Sequence, residues 1–153
     1  MANVMQFDLV SPERRLVSAS VREVRMPGSE GDLTVMPGHA PTMITLRPGL
    51  VTVIDDKGAE AQYAVSAGFA EIHPDGVNLL AERSMLREDV TQDILNEMLE
   101  AAYRKHRVAE SKARDPDSDI GEEAVTAAVK LLGDMQALGT HIGLDPNQAN
   151  FPD

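Results

Sequence analysis

Short segments in which apolar and polar residues alternate occupy the first 84 residues. Residues 5–10 and 32–35 alternate in this way, which is the period of a half-buried strand. Seven of the eleven Gly and six of the nine Pro lie in this half. Turn-forming pairs recur about every 8–12 residues, at Ser11-Pro12, Pro27-Gly28, Pro37-Gly38, Pro48-Gly49, Lys57-Gly58 and Asp75-Gly76. This spacing predicts an all-β sandwich or barrel, with hairpin turns at 56–58 and 74–76.

Helical spacing replaces the alternation after Ser84. Residues 89–110 contain neither Gly nor Pro, and their apolar positions lie on one helical face: Val90, Ile94, Leu95, Met98, Leu99 and Ala102. Asp89 is the predicted N-cap of this helix. The basic cluster at 104–107 suits its C-terminal end, where cations interact favourably with the helix dipole.

A second helix is predicted after a break at 113–119, where Pro116 lies among turn-forming residues. Asp119 and Glu122 have the spacing of a capping box. The predicted buried stripe consists of Val125, Ala128, Val129, Leu132 and Met135. The pattern therefore predicts a β-domain over residues 1–86, a helical hairpin over 87–139 and an irregular tail over 140–153.

Two features of this arrangement favour a binding or assembly subunit over an enzyme. A two-helix hairpin cannot bury both of its apolar stripes by itself, so they must pack on the β-domain or on a partner. Met-Pro-Gly occurs at 26–28 and again at 36–38, on either side of the predicted strand 32–35. A short strand between two turns is a rigid element that suits contact with another protein.

Charge and composition exclude several classes of function. The net charge is −11, and only 3% of the residues are aromatic, with no Trp. Nucleic-acid binding needs basic clusters and stacking side chains, so it is not expected. Cys is absent, which excludes disulfides and thiolate chemistry. No apolar run approaches the roughly 18 residues of a membrane span, and residues 1–9 do not resemble a secretory signal.

The common catalytic and metal-binding motifs are also missing from the sequence. His39, His73, His106 and His141 are too far apart to form a helical metal motif, and neither HExxH nor GxSxG occurs. The Gly-rich segment 26–32 lacks both the dinucleotide and the P-loop patterns, and its acidic residues would repel phosphate. We therefore predict no catalytic, metal or cofactor site. A stand-alone β-sandwich enzyme or small-molecule-binding protein remains the alternative.

Six motifs follow one another in the first half of the chain. They are Phe7-Asp8-Leu9-Val10-Ser11-Pro12, Gly28-Ser29-Glu30-Gly31-Asp32-Leu33, Met36-Pro37-Gly38-His39-Ala40-Pro41, Leu46-Arg47-Pro48-Gly49, Ser66-Ala67-Gly68-Phe69-Ala70-Glu71-Ile72 and Leu79-Leu80-Ala81-Glu82. Together they resemble the ε-subunit family of F-type ATP synthases, whose mitochondrial members are called δ. The similarity is collinear over residues 4–86 and is architectural beyond them.

The resemblance implies a mainly β fold with a helical part: an N-terminal ten-stranded β-sandwich followed by a C-terminal two-helix hairpin. It implies a non-catalytic rotor subunit in the central stalk, which binds the γ subunit and the c-ring and couples proton flow to ATP synthesis. The α/β hexamer is a further implied partner, through the hairpin. The implied location is peripheral, on the cytoplasmic face of the bacterial inner membrane, without insertion into it.

By the same resemblance, four residues lie toward the loops of the c-ring. Glu30, Gly31 and Asp32 belong to one turn, and His39 belongs to the next. Acidic side chains in such a turn would meet basic or polar groups of the ring. Charges at the rim of an interface set orientation more than affinity.

The resemblance also bears on regulation by the hairpin. Relatives that bind ATP use the motif Ile/Leu-Asp-x-x-Arg-Ala near the start of the first helix. The matching residues 90–95 have Thr91 and Ile94 in place of the Asp and the Arg, so ATP is expected to bind weakly or not at all. In many bacteria the extended hairpin blocks ATP hydrolysis. Residues 120–153 contain one basic residue against five acidic ones, which predicts at most weak inhibition.

Overall fold

The structure is a computed structural model that describes residues 3–117 and 121–147. The chain divides into two compact units, Met1–Asp89 and Val90–Asp153. The first unit contains all the strands and one 3₁₀ turn, and the second contains two helices. Within the described residues, neither helix is long and apolar enough to cross a membrane.

The described residues of the first unit form nine strands. These are β1 (Met5–Ser11), β2 (Arg14–Gly28), β3 (Gly31–Val35), β4 (Thr42–Leu46), β5 (Gly49–Asp55), β6 (Glu60–Val65), β7 (Gly68–His73), β8 (Gly76–Ala81) and β9 (Ser84–Leu86). The predicted mainly β fold followed by two helices is confirmed. The resemblance implies ten strands where nine are described; β2 alone runs unbroken for 15 residues.

Strand β2 joins the two parts of the sheet. Its first half pairs with β1, and its second half pairs with β3 and β5. The strand order is β1-β8-β7-β4-β2-β5-β6-β9, with β3 beside β2, and the pairing of β1 with β2 closes one side. The inward side chains form one apolar core, in which the largest fully buried residues include Phe7, Leu9, Met26, Ile72 and Leu79.

The turns predicted at 56–58 and 74–76 both connect antiparallel neighbours. Between β5 and β6, the Asp55 carboxylate accepts hydrogen bonds from the backbone N–H groups of Lys57 (2.9 Å) and Ala59 (2.8 Å). Gly58 has φ +85°, a conformation that favours glycine. Between β7 and β8, His73 pairs with Gly76 to close the hairpin. The alternation of the sequence and its turn residues thus predicted the connections correctly.

In the second unit, α1 spans Gln92–Ala113 and α2 spans Glu122–His141. The prediction of Asp89 as the N-cap of α1 is wrong. Thr91 caps the helix instead, because its hydroxyl accepts a hydrogen bond from the backbone N–H of Ile94 at 3.2 Å. Asp89 ends a 3₁₀ turn at Arg87–Asp89. The capping role predicted for Asp119 lies outside the described residues.

The buried face of α1 contains Leu95, Met98, Leu99 and Ala102, as predicted. On α2 the buried residues are Ala128, Met135, Leu138 and Gly139. Val129, which was assigned to this stripe, is 52% exposed, so that assignment is wrong. The buried face of α2 therefore lies on the side of Gly139 rather than on the side of Val129. A Cβ on Gly139 would lie 2.7 Å from a methyl carbon of the fully buried Leu95.

The segment after α2 folds back on the start of α1. The side chain of Gln92 donates to the carbonyl oxygen of Asp145 (2.7 Å) and accepts from the backbone N–H of Asp145 (3.0 Å). The N–H of Leu144 also donates to the carbonyl of Gly139 (2.9 Å). The described part of the predicted tail is therefore held by hydrogen bonds, and its residues 148–153 lie outside the described residues.

Candidate interaction surface

The four residues predicted to face a partner lie along β3 and its two flanking turns. β3 pairs with β2 through residues 31–35 and has no second neighbour within the described sheet, so it is an edge strand. Glu30 and Gly31 lie where the chain enters β3, and His39 lies in the turn after it. We call this surface, residues 28–41, the β3 edge.

The turn before β3 is tight. Gly28 and Gly31 pair with each other, and Gly31 has φ +139°. A Cβ on Gly28 would lie 2.5 Å from the carbonyl oxygen of Gly31, so no larger residue fits there without a shift of the backbone. The N–H of Ser29 donates to the carbonyl of Thr45 at 2.8 Å. The exposed Glu30 forms the apex.

Arg47, which lies between β4 and β5, makes three hydrogen bonds to this turn. Its backbone N–H donates to the carbonyl of Pro27 at 3.0 Å. One guanidinium nitrogen donates to the carbonyl of Gly28 at 2.5 Å, and the other donates to the Asp32 carboxylate at 2.5 Å. The Arg47 side chain is only 29% exposed, whereas that of Asp32 is 79% exposed. Sequence reasoning did not select Arg47 as a site residue.

The turn after β3 is held mainly by backbone hydrogen bonds. Gly38 has φ +88°, and its N–H donates to the carbonyl of Pro74 at 2.9 Å. The N–H of His39 donates to the carbonyl of Met36, and the imidazole Nδ1 lies 2.8 Å from the carbonyl of Ala40. The ring of His39 is therefore bound to its own turn.

The structure places the predicted residues along one edge and does not gather them into one cluster. Five residues of β3 separate the two turns, which corresponds to about 16 Å at roughly 3.3 Å per residue. The two acidic side chains also differ. Asp32 is paired with Arg47, whereas Glu30 makes no ion pair to any of the residues that the structure describes. Such an arrangement suits contact with an extended partner surface.

An apolar groove of about 630 Å³ is lined by residues of β1, β4, β7 and β8 and their connections, including Thr45. Paired strands place Val10, Leu80 and Phe69 side by side across β1, β8 and β7. Phe69 is 54% exposed and Leu80 is 46% exposed. Glu82 is the one ionisable residue among those that line the groove. Because apolar side chains dominate its walls, the groove is suited to packing rather than to proton transfer.

Ionisable groups in the described residues show little sign of a reactive centre. No group of three or more His, Asp or Glu that could hold a metal ion occurs among residues 3–117 and 121–147. Burial, and then the negative charge of Glu88, raises the pKa of Tyr63 above its ordinary value. His73 lies 2.9 Å from the Glu71 carboxylate on the surface of β7, as an exposed pair.

Comparison with known proteins identifies the family. The ATP synthase delta/epsilon chain β-sandwich domain matches residues 4–87, which is more than half of the chain. The chain belongs to the ATP synthase delta/epsilon family. The β3 edge and the apolar groove both lie within the matched residues, so they are parts of the family's β-sandwich domain.

Relatives in this family match the chain over nearly its whole length. The ATP synthase epsilon chain of Paracoccus denitrificans is 62% identical over 99% of this chain and 99% of its own length. The ATP synthase epsilon chain of Rhodobacter capsulatus is 49% identical over 94% of this chain and 100% of its own length. The similarity therefore includes the helical unit as well as the sandwich.

Solved structures of mitochondrial ATP synthases share the fold. A chain in the OSCP/F1/c-ring assembly of Euglena gracilis, in rotational state 1, aligns with a TM-score of 0.60 at 21% identity, over 88% of this chain and 81% of its own length. A chain in the central stalk and c-ring of Tetrahymena thermophila aligns with a TM-score of 0.58 at 13% identity, over 87% and 94%. At these identities the likeness concerns the fold.

Proposed function

We propose that this chain is the rotor subunit of the central stalk in a proton-translocating F-type ATP synthase. It links the γ subunit to the c-ring and couples proton flow to ATP synthesis, and it contributes no catalytic residue. The observation that supports this most strongly is the match to relatives named ATP synthase epsilon chain over nearly the whole of both chains. The subunit then lies peripherally on the cytoplasmic face of the bacterial inner membrane.

The geometry of the sandwich supports a mechanical role. A subunit that transmits torque needs contact surfaces that do not move relative to its core. Both turns of the β3 edge are hydrogen-bonded to neighbouring parts of the sandwich, at Thr45 and Arg47 on one side and at Pro74 on the other. We assign Glu30, Gly31, Asp32 and His39 to the contact with the c-ring by the family resemblance, and the rigidity of their turns supports this assignment.

The experiment that tests the proposal is purification of the complete synthase from cells in which this chain has an affinity tag. The γ subunit and the c-ring should co-elute with it in fixed proportion. A chain that ends after Leu86 should also assemble, because all of the matched motifs precede residue 87. If the shortened chain is folded but does not bind γ, the proposal that the sandwich alone suffices for assembly is wrong.

The β3 edge can be tested separately from catalysis. Replacing His39 by Ala should reduce ATP-driven proton pumping in the complete synthase. It should leave ATP hydrolysis unchanged in the detached catalytic sector, which lacks the c-ring. Equal loss in both preparations would contradict an interface role for His39.

We propose that the helical hairpin is a poor inhibitor of ATP hydrolysis. Lys130 is the only Lys or Arg of α2, and it already pairs with Asp134 at 2.7 Å. An extended α2 would therefore bring little positive charge to an acidic segment of the α/β hexamer. Deleting residues 111–153 should change hydrolysis by the purified complex by less than about twofold. A several-fold activation would show that the hairpin inhibits by apolar packing.

We also propose that the hairpin binds ATP weakly or not at all. The side chains of Thr91 and Ile94 are uncharged, so neither residue supplies a cation for phosphate, and the Thr91 hydroxyl already accepts a hydrogen bond from the backbone N–H of Ile94 as the cap of α1. Calorimetric titration of ATP into the isolated full-length chain should show no binding in the micromolar range. A micromolar dissociation constant would contradict the proposal.

A further inference from the structure

We propose that Arg47 is a positioning residue for the contact with the c-ring, because it fixes the turn on which Glu30 lies. The inference rests on the proposed function and gives a role to a residue that the sequence analysis named only as part of a family motif. Glu30 itself makes no ion pair in the described part of the chain. Its direction is therefore set by the backbone of the turn, and Arg47 is the side chain that holds that backbone.

The hydrogen bonds of Arg47 surround the apex of the turn. The guanidinium binds the Gly28 carbonyl before the apex and the Asp32 carboxylate after it, and its backbone N–H binds Pro27. One residue, Arg47 in the connection between β4 and β5, thus binds both ends of the Gly28–Asp32 segment. The Ser29 N–H, bound to Thr45, adds a further bond, and Gly28 and Gly31 pair with each other across the turn.

Arginine is the residue type that this geometry requires. Its planar fork directs two nitrogens at two separate acceptors, one neutral and one charged, whereas a lysine ammonium is a single point of contact on a flexible stem. The low exposure of Arg47 shows that the sandwich surface restricts the side chain. A lysine at 47 would keep the charge and lose the second attachment.

A role for Arg47 through its charge and a role through the position of the turn predict opposite effects of Arg47→Gln on binding. Glu30, Asp32 and Arg47 together have one net negative charge, and replacing Arg47 by Gln gives two. If charge alone governed contact with a basic ring surface, Arg47→Gln would bind more tightly at low salt. If Arg47 positions the turn, the same variant binds more weakly, since Glu30 is no longer fixed.

The test measures the affinity of the full-length chain for a purified complex of γ and the c-ring. Arg47→Gln should weaken binding about tenfold, the scale of one lost hydrogen bond to a charged group. Arg47→Lys should fall between this variant and the unchanged chain. Asp32→Asn should weaken binding by only a few fold, because Arg47 still holds the Gly28 carbonyl. Arg114→Gln is the matched control, since it removes a surface ion pair with Glu110 in the helical unit and should change nothing.

Amide hydrogen exchange on the same variants distinguishes positioning from general destabilisation. In Arg47→Gln the Ser29 amide should exchange at least about tenfold faster, with amides in the middle of β5 unchanged. Weaker binding without faster exchange at Ser29 overturns the positioning role, and so does equal or tighter binding. If Arg47→Gln loosens the whole sandwich, the decision falls to Arg47→Lys, which keeps the charge and loses one attachment: unchanged binding together with unchanged exchange at Ser29 in that variant overturns the inference. Failure of the unchanged chain to bind γ and the c-ring contradicts the proposed function itself.

Discussion

Glycine is used differently in the two units of this protein. In the sandwich, a Cβ on Gly68 would lie 1.8 Å from the carbonyl oxygen of Leu80, and one on Gly76 would lie 2.3 Å from that of Gln6. In the helical unit, a Cβ on Gly139 would meet the side chain of Leu95. Gly68 and Gly76 face backbone, which cannot move without breaking a strand pairing. The helical glycine faces a side chain, which can change rotamer at a smaller cost. The sandwich is therefore the less tolerant unit.

The largest effect is expected for Gly68→Ala. The new methyl group would overlap the backbone of β8, so β7 and β8 must separate, and we expect a loss of about 3 kcal/mol or more in the free energy of unfolding. Urea unfolding followed by tyrosine fluorescence in a Tyr103→Phe background reports on the sandwich, where Tyr63 lies. A loss below about 1 kcal/mol would show that the strands adjust easily and that the two units do not differ in this respect.

A smaller effect is expected for Gly139→Ala. The methyl group must displace Leu95, which is fully buried, and alanine's better helix propensity offsets part of that cost. We expect a net loss of about 1 kcal/mol in the helical unit, measured by circular dichroism at 222 nm during denaturation. The matched control is Gly133→Ala, where the Cβ meets nothing within 4 Å. That variant should gain about 1 kcal/mol. If both variants gain stability, Gly139 is not a close-packing residue.

The smallest effect is expected from alkaline pH, and it should be confined to the sandwich. Burial and the charge of Glu88 raise the pKa of Tyr63. The unfolded chain therefore loses the tyrosine proton first as pH rises. The contribution of Tyr63 to stability is complete below its unfolded pKa of about 10, and it is lost as pH rises through the folded pKa. In urea unfolding followed by the circular dichroism of the β-sheet, Tyr63→Phe should flatten the decline in sandwich stability between about pH 9 and 11 relative to the unchanged chain. Equal slopes would contradict the assignment.

Most of the fold could be predicted from local patterns. Alternating segments and Gly/Pro turns predicted the strands, and apolar spacing predicted both helices. The errors arose where tertiary contacts decide between local alternatives. Asp89 and Thr91 are both good capping residues, and the 3₁₀ turn at Arg87–Asp89 makes Thr91 the cap. Val129 fits a helical stripe in the sequence. Because Gly139 packs closely on Leu95, however, the side of α2 that holds Val129 is exposed.

The candidate site was predictable only in part. The resemblance selected Glu30, Gly31, Asp32 and His39, and their assignment to the c-ring stays a prediction. Arg47 was not selected, because it is 15 residues away from Asp32 in the chain. Only the pairing of Gly28 with Leu46 brings the two side chains together, and that register depends on the whole sheet. The signal that could have suggested Arg47 is its place in the chain. It is a basic residue directly after β4, and β4 pairs with β2 next to the acidic turn.

One side of β3 has no neighbouring strand in the described sheet, and this matters before the chain has bound any partner. Unpaired backbone N–H and C=O groups at a sheet edge can pair with the same edge of another copy, which leads to aggregation. Here the edge is only five residues long, and a glycine turn with exposed acidic side chains precedes it. Two copies that pair in parallel through this edge would bring Glu30 of each toward like charge. The acidic turn that we assign to assembly thus also opposes self-association of newly made chains.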